Sequence, residues 1–286
     1  MERTAKIIDG KLVSQAVKDK VREDVLSLGE KGISVCLAVI IVGDNPASRT
    51  YVNNKKKACK AAGIISREYA LDENTTQQEL LELIDRLNKD SEVNGILCQL
   101  PLPQGLDEKA VIASISPEKD VDAFHAVNAG HIMIGDYSFL PCTPAGITEM
   151  LDYYGIEVAS KNCTVIGRSN IVGKPMAMLL LKRNGTVTIC HSATKNLADY
   201  TSRADILIAA VGKPNFVTAD MVKDGAVVID VGINRNSEGK LCGDVDFDAV
   251  SKKASYITPV PGGVGPMTIA TLLKNTVTAA KLQNNL

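Results

Sequence analysis

Residues 163–181, CTVIGRSNIVGKPMAMLLL, read as a strand, a glycine turn and an apolar helix. Gly167 ends the strand and Gly173 stands near the helix start, so a backbone with few side chains at that turn lets helix N–H groups face a pyrophosphate. The spacing is G-x-S-x-x-x-G, a departure from G-x-G-x-x-G, and the turn alone admits two readings: a glycine turn with no ligand, or a phosphate cradle. The next strand helps to decide. TVTIC (186–190) runs into His191 and Ser192, where an NAD site commonly has a carboxylate for the ribose hydroxyls. With no carboxylate there to repel an extra phosphate, and with Arg168 and Ser169 supplying a fixed positive charge and a hydroxyl, the turn favours NADP over NAD. His191 itself reads at least as well as a partly exposed loop histidine.

Outward from this stretch the same grammar repeats. A helix, PAGITEMLDYYG (144–155), precedes it, and strands DILIAAVG (205–212) and AVVIDVG (226–232) follow, which makes the second half an α/β unit. In the first half Val13, Val17, Val21, Val25 and Leu28 draw one apolar stripe on a helix. The buried strand SVCLAVIIVG (34–43) comes next, then a helix capped by Asp44 or Asn45, with Pro46 in its first turn and Gly63 at its close. Strand IISREYAL (64–71), helix TQQELLELIDRLNKD (76–90) and strand GILCQLPLP (95–103) complete a β-α-β-α-β order, which favours a mainly parallel sheet. Periodicity fails between about 115 and 144, and this segment reads as hinge and cleft wall. The expected architecture is therefore α/β in two domains. Residues 1–120 form an N-terminal catalytic domain, and residues 121–286 a C-terminal Rossmann-like NADP-binding domain, with a cleft between them and a last helix, about 266–286, that packs on either half.

Bulk composition excludes several classes. Apolar residues make up 45% of the 286 and charged residues 23%, which supplies buried cores and argues against disorder. With 32 basic and 33 acidic side chains, the net charge of -1 offers no general attraction for nucleic acid or an anionic membrane. The seven cysteines form no C-x-x-C pair, and His125, His131 and His191 form no close ligand pair, so neither a disulfide framework nor a metal site is expected. The start lacks an apolar h-region and no run reaches the ~18 apolar residues of a membrane span, which points to a reducing cytoplasm.

TYVNNKKKACKAAG (50–63) lies on the second expected helix and carries a second candidate site. Residues four apart share a helical face, so Tyr51 and Lys55 point one way, while Lys56 and Lys57 turn away by about 100° and 200°. Taken alone, the run equally describes a solvated basic face. Gln99, at the tail of the third strand, and Asp122, in KDVDAFH, are candidates to converge on the same cleft; the alternatives are a strand cap and a turn organiser. As an acid/base catalyst Lys55 needs a pKa below the ordinary lysine range, and desolvation together with Lys56 and Lys57 acts in that direction.

These segments, with QLPLP, PEKDVDAFH, PCTPAGI, DVGIN, GDVDF and PVPGGVGPMTIATLL, resemble in order the bifunctional methylenetetrahydrofolate dehydrogenase/methenyltetrahydrofolate cyclohydrolase family over nearly the whole chain. The resemblance implies a homodimer with folate in the cleft and NADP on the second domain. It also implies a cyclohydrolase site of Tyr51, Lys55 and Gln99, with Lys55 as the acid/base group and Asp122 holding the pterin. Pro261, Gly262, Gly263, Val264 and Gly265 would border folate or simply turn the chain, and Gly167, Arg168, Ser169, Ser192 and Ile233 would contact NADP. The chain departs from the family at Ala123 and Ala126, where glycine and proline are common; alanine resists positive φ, so the Asp122 loop is expected to differ in shape. A Y-x-x-x-K pair also occurs in short-chain dehydrogenases, but there it follows the glycine turn, whereas here it precedes Gly167.

Overall fold

The structure, a computed structural model, describes residues 4–286. Contacts group Gln15–Leu140 with Ile269–Leu286, and the described residues through Ser14 with Pro141–Thr268. The contacts thus divide the central chain at 140/141 rather than at 120/121, and most of the last helix belongs with the first half.

A short strand β1 (Lys6–Ile7) leads into helix α1 (Gly10–Glu30), whose stripe buries Val13, Val21 and Leu28. Strand β2 (Cys36–Val42) is buried along its whole length because it is the middle of a parallel sheet, order β3-β2-β4. That two-sided burial explains its unbroken apolar run. Helix α2 (Pro46–Ala62) is capped by Asn45, whose side chain accepts from Ala47 N and Ser48 N, and it ends at Gly63 with φ 79°. Edge strand β3 (Ile65–Leu71) is followed by α3 (Gln77–Lys89), opened by a Thr76/Glu79 capping box and burying Leu80, Leu83, Ile84 and Leu87. Strand β4 (Gly95–Cys98) is shorter than expected: Gln99 N still donates to Ile40 O at 2.8 Å, but Pro101 and Pro103 have no N–H to continue the ladder.

Helix α4 (Glu108–Ser114) precedes the segment expected to be irregular, and within that segment lies a further helix, α5 (Ala126–Ile134). Its ends are well defined. His125 Nδ1 accepts from Val127 N, and Gly135 closes it at φ 78°. AVNAGHIMI has no polar face to alternate with an apolar one, so helical period is absent from its sequence. The preceding turn is pinned by two buried residues. Lys119 Nζ donates to Leu87 O and Asp90 O, while the Asp120 carboxylate accepts from His125 N and Asn128 Nδ2. Ala123, buried in this turn, adopts φ 58°. The alanine therefore adopts the positive φ it was expected to resist, at a cost of roughly 1–2 kcal/mol.

The second unit is a six-stranded, all-parallel sheet among the described residues, order β1-β11-β8-β7-β5-β6. After helix α6 (Cys142–Tyr153) come β5 (Asn162–Ile166), α7 (Gly173–Lys182), β6 (Thr186–Cys190), α8 (Leu197–Thr201), β7 (Ile206–Ala209) and β8 (Val227–Asp230). A small antiparallel hairpin, β9 (Asn234–Arg235) and β10 (Leu241–Cys242), precedes α9 (Phe247–Val250), β11 (Tyr256–Ile257) and the last helix α10 (Val264–Gln283). Strand order reverses at β5, whose neighbours are β6 on one side and β7 on the other. A parallel sheet has its ligand crevice outside the strand ends at such a reversal. In the first unit α10 is held by Asn275 Nδ2, which donates to Val121 O and Leu140 O, and by Lys281, paired with Asp24 at 3.0 Å.

The start of α1 packs on the turn before α10 with no room to spare. A Cβ on Gly10 would stand 1.7 Å from Gly263 O, a backbone atom. Gly10→Ala is expected to lower stability by about 1–3 kcal/mol in urea unfolding, and an unchanged midpoint would contradict this contact.

Candidate active site and dinucleotide site

Helix α2 buries one face, Ser48, Val52, Lys55, Cys59 and Ala62, against the first sheet. Lys55 is therefore only 9% exposed, and its Nζ donates to Gln99 Oε1 at 2.9 Å. Gln99 follows β4 directly, and its Nε2 donates to Leu100 O at 2.6 Å, which turns the amide oxygen toward the lysine. An amide orients the amine without adding a negative charge that would hold its proton. Lys56 lies on another face and pairs with Glu68 at 3.1 Å, and Glu68 also takes Arg49 at 2.8 Å. Lys56, expected to add positive charge beside Lys55, thus shares one carboxylate with Arg49. Lys57 is exposed.

The structure joins Lys55 and Gln99 but leaves Tyr51 outside their hydrogen bonding. Tyr51 is 44% exposed, one turn before Lys55, and its hydroxyl has no hydrogen-bond partner among the described residues. Asp122 sits near the same strand end. Burial pushes the Cys98 thiol up to about 12, and the Asp122 and Glu108 charges add to that shift. Burial likewise raises Cys59 to about 12, so both thiols flanking the Lys55–Gln99 pair stay neutral.

In the second unit both glycines of the 167–173 turn are required by close backbone approach. A Cβ on Gly167 (φ 131°) would stand 2.3 Å from Ala210 O, and one on Gly173 2.2 Å from Gly167 O. The helix N–H groups expected to face a pyrophosphate are instead engaged. Ser169 Oγ accepts from Val172 N and Gly173 N, and Ser169 O accepts from Lys174 N. The hydroxyl proton of Ser169 is then left to donate outward. Ile166 pairs with Cys190, so Arg168 and Ser192 each stand two residues beyond the paired strand ends. Both are exposed, and Arg168 has no ion-pair partner among the described residues. His191 organises its own turn: Nδ1 accepts from Ala193 N, and its N–H donates to Thr194 Oγ1.

Pro261, Gly262, Gly263, Val264 and Gly265 also lie in the second unit, at the start of α10. Gly262 has φ 108°, and a Cβ on Gly265 would stand 3.9 Å from Ile233 Cδ1. The site residues thus form two sets: Tyr51, Lys55, Gln99 and Asp122 in the first unit, and Gly167, Arg168, Ser169, Ser192, Ile233 and Pro261–Gly265 in the second.

A feature not anticipated from sequence is a pair of buried carboxylates, Asp230 at 3% and Asp244 at 0% exposure. Asp230 Oδ1 accepts from Gly232 N and Asp244 N, and Oδ2 from Val245 N. Burial outweighs those three donors and, with the Asp244 charge adding, lifts Asp230 to about 6. The only signal in the chain was the two aspartates within DVGIN and GDVDF, which are 14 residues apart.

A glycine turn and an arginine without an ion-pair partner among the described residues, at the strand-order reversal of one parallel sheet, together with a lysine–amide pair at a second sheet, fit a two-domain α/β enzyme of the dinucleotide-dependent class. A model of the tetrahydrofolate dehydrogenase/cyclohydrolase catalytic domain matches residues 8–122, and the NAD(P)-binding domain of the same family matches residues 141–284. The chain belongs to the tetrahydrofolate dehydrogenase/cyclohydrolase family. It is 61% identical over 279 residues to the bifunctional protein FolD of Acetivibrio thermocellus, covering 98% of each chain. It superposes on the Campylobacter jejuni bifunctional FolD structure with a TM-score of 0.96 at 54% identity, over 99% of this chain and 100% of that one. The Trypanosoma brucei FolD, solved with NADP cofactor and an inhibitor, gives 0.94 at 40% identity over 99% of both.

Because Asp230 is raised from 3.8 to about 6, the unfolded chain ionises it first as pH rises. Its penalty on folding is absent below about pH 4, grows from there to about pH 6, and is constant above. Urea unfolding of wild type and Asp230→Asn in parallel is expected to show the difference between them shifting against wild type over that window and flat above it. A difference independent of pH would contradict the assignment.

Proposed function

We infer that the protein oxidises 5,10-methylenetetrahydrofolate to 5,10-methenyltetrahydrofolate with NADP+ and hydrolyses the product to 10-formyltetrahydrofolate. The observation that carries the hydrolytic half is the buried Lys55 Nζ held 2.9 Å from an amide oxygen. NADP+ supplies the hydride acceptor for the first step. The residues present fit it: a turn with no space for side chains at Gly167 and Gly173, a free guanidinium at Arg168, a hydroxyl proton at Ser169, and no carboxylate beside Ser192. Ile233 offers an exposed apolar face. The folate nitrogens stabilise the cation left by oxidation, so this step needs positioning rather than a protein base.

In the second step water adds to the methenyl carbon. Lys55 takes a proton from that water, Gln99 holds the amine on line, and N5 gains a proton as its bond to the one-carbon unit breaks. One proton is released overall. Tyr51, exposed one helical turn away, contributes a phenol that stacks on or donates to the substrate when it is bound. Asp122 accepts from the donor-rich pterin edge, and Pro261, Gly262, Gly263, Val264 and Gly265 border the folate with main-chain groups. The same reading carries a homodimer in the cytoplasm with no nucleic-acid or membrane partner. A net charge of -1 gives no general attraction for nucleic acid or an anionic membrane, and among the described residues no helix is long and apolar enough to cross a membrane.

Lys55→Met is expected to reduce methenyltetrahydrofolate hydrolysis by on the order of 100-fold or more while folate oxidation survives in part. Unchanged hydrolysis would remove Lys55 from the mechanism.

A further inference from the structure

Asp230 closes β8 and Asp244 follows β10, so the two carboxylates clamp the base of the β9–β10 hairpin and the Ile233 just before it. Asp244 also reaches the loop after β7. Its Oδ2 accepts from Val211 N at 2.6 Å and Gly212 N at 3.0 Å, and its Oδ1 accepts from Lys213 N at 2.9 Å and Asn234 Nδ2 at 2.8 Å. One carboxylate thus fixes three consecutive N–H groups of one loop and the side chain of Asn234, the first residue of β9. An asparagine could not do this, because its NH2 would face backbone N–H donors.

We propose that Asp244, backed by Asp230, is a positioning residue for NADP+, acting through the loops after β7 and β8. The proposal rests on the functional reading above. Asp244 is fully buried with its acceptors spent on the protein, so it touches no ligand itself. What it shapes does lie at the dinucleotide turn. Residue 210, which directly precedes the three anchored N–H groups, is the residue whose carbonyl crowds Gly167. The hairpin base presents Ile233, 53% exposed, beside Gly265. The backbone closes on the pair without room for neighbouring side chains: a Cβ on Gly232 would stand 2.3 Å from Asp244 Oδ1, and one on Gly243 1.8 Å from Asp230 Oδ2. Two like charges buried side by side oppose folding, so stability alone does not account for them.

The test measures NADP+ dissociation by calorimetry, amide exchange at Val211–Lys213, and methenyltetrahydrofolate hydrolysis, which uses no NADP+. The proteins are wild type, Asp244→Asn and Asn234→Ala. The Asp244→Asn variant is expected to bind NADP+ about tenfold or more weakly, with faster exchange at those amides and hydrolysis at the wild-type rate. Asn234→Ala removes a single donor at the pair's edge, so it gives the same split, smaller in size, even where the buried substitution fails to fold. Unchanged NADP+ affinity in a folded variant overturns the proposal. So does loss of affinity and hydrolysis together with faster exchange throughout the chain. Wild-type protein that does not bind NADP+ overturns the functional reading, and the proposal with it.

Discussion

Parallel strands buried on both faces leave this chain few places for chemistry. Strands β2, β4, β5, β7 and β8 are buried along all or nearly all of their length, so none offers a side chain to a ligand from its middle. Candidate site residues cluster where the ladders stop: Gln99 after β4, Gly167 and Arg168 after β5, Ser192 after β6, Val211–Lys213 after β7, Ile233 after β8. All are at carboxyl ends, where one sheet presents its connecting loops together. Lys55 reaches the first of these ends from the buried face of the helix that follows β2.

Charge around Lys55 is arranged by exclusion. Its direct partner is an amide, both neighbouring thiols are held neutral by burial, and Lys56 and Arg49 share Glu68 on the adjacent strand. The amine is therefore oriented by a dipole rather than by a carboxylate. In the second unit the logic is opposite. Buried carboxylates are concentrated at Asp230 and Asp244, where backbone N–H groups absorb their charge and loop shape is the result.

Much of this is written locally and can be read locally. The run CLAVIIV, the Asn45-Pro46 start and Gly63 stop of α2, and the Thr76/Glu79 box each depend on residues within a few positions. So does the helical turn that buries Lys55 and leaves Lys56 and Lys57 on other faces. What was not legible depends on tertiary closure. Helix α5 buries the polar Asn128 and exposes Met133 and Ile134, so its burial does not follow hydropathy, and β1 is two residues long and exists only because β11 is beside it. By spacing alone Ser169 reads as a phosphate ligand, yet its oxygen first accepts from Val172 N and Gly173 N in its own turn, a geometry that spacing does not reveal. The Asp230–Asp244 pair required a hairpin to bring its members together, and Ala123 occupies a left-handed conformation that alanine disfavours.

The most direct test of a bifunctional enzyme is a progress curve of purified protein with methylenetetrahydrofolate and NADP+, following NADPH and methenyltetrahydrofolate separately. The account predicts NADPH formation with the methenyl product held at a low steady state while 10-formyltetrahydrofolate accumulates. Methenyl product building up in step with NADPH would contradict it, and would return Lys55 to the role of a buried charge on a helix.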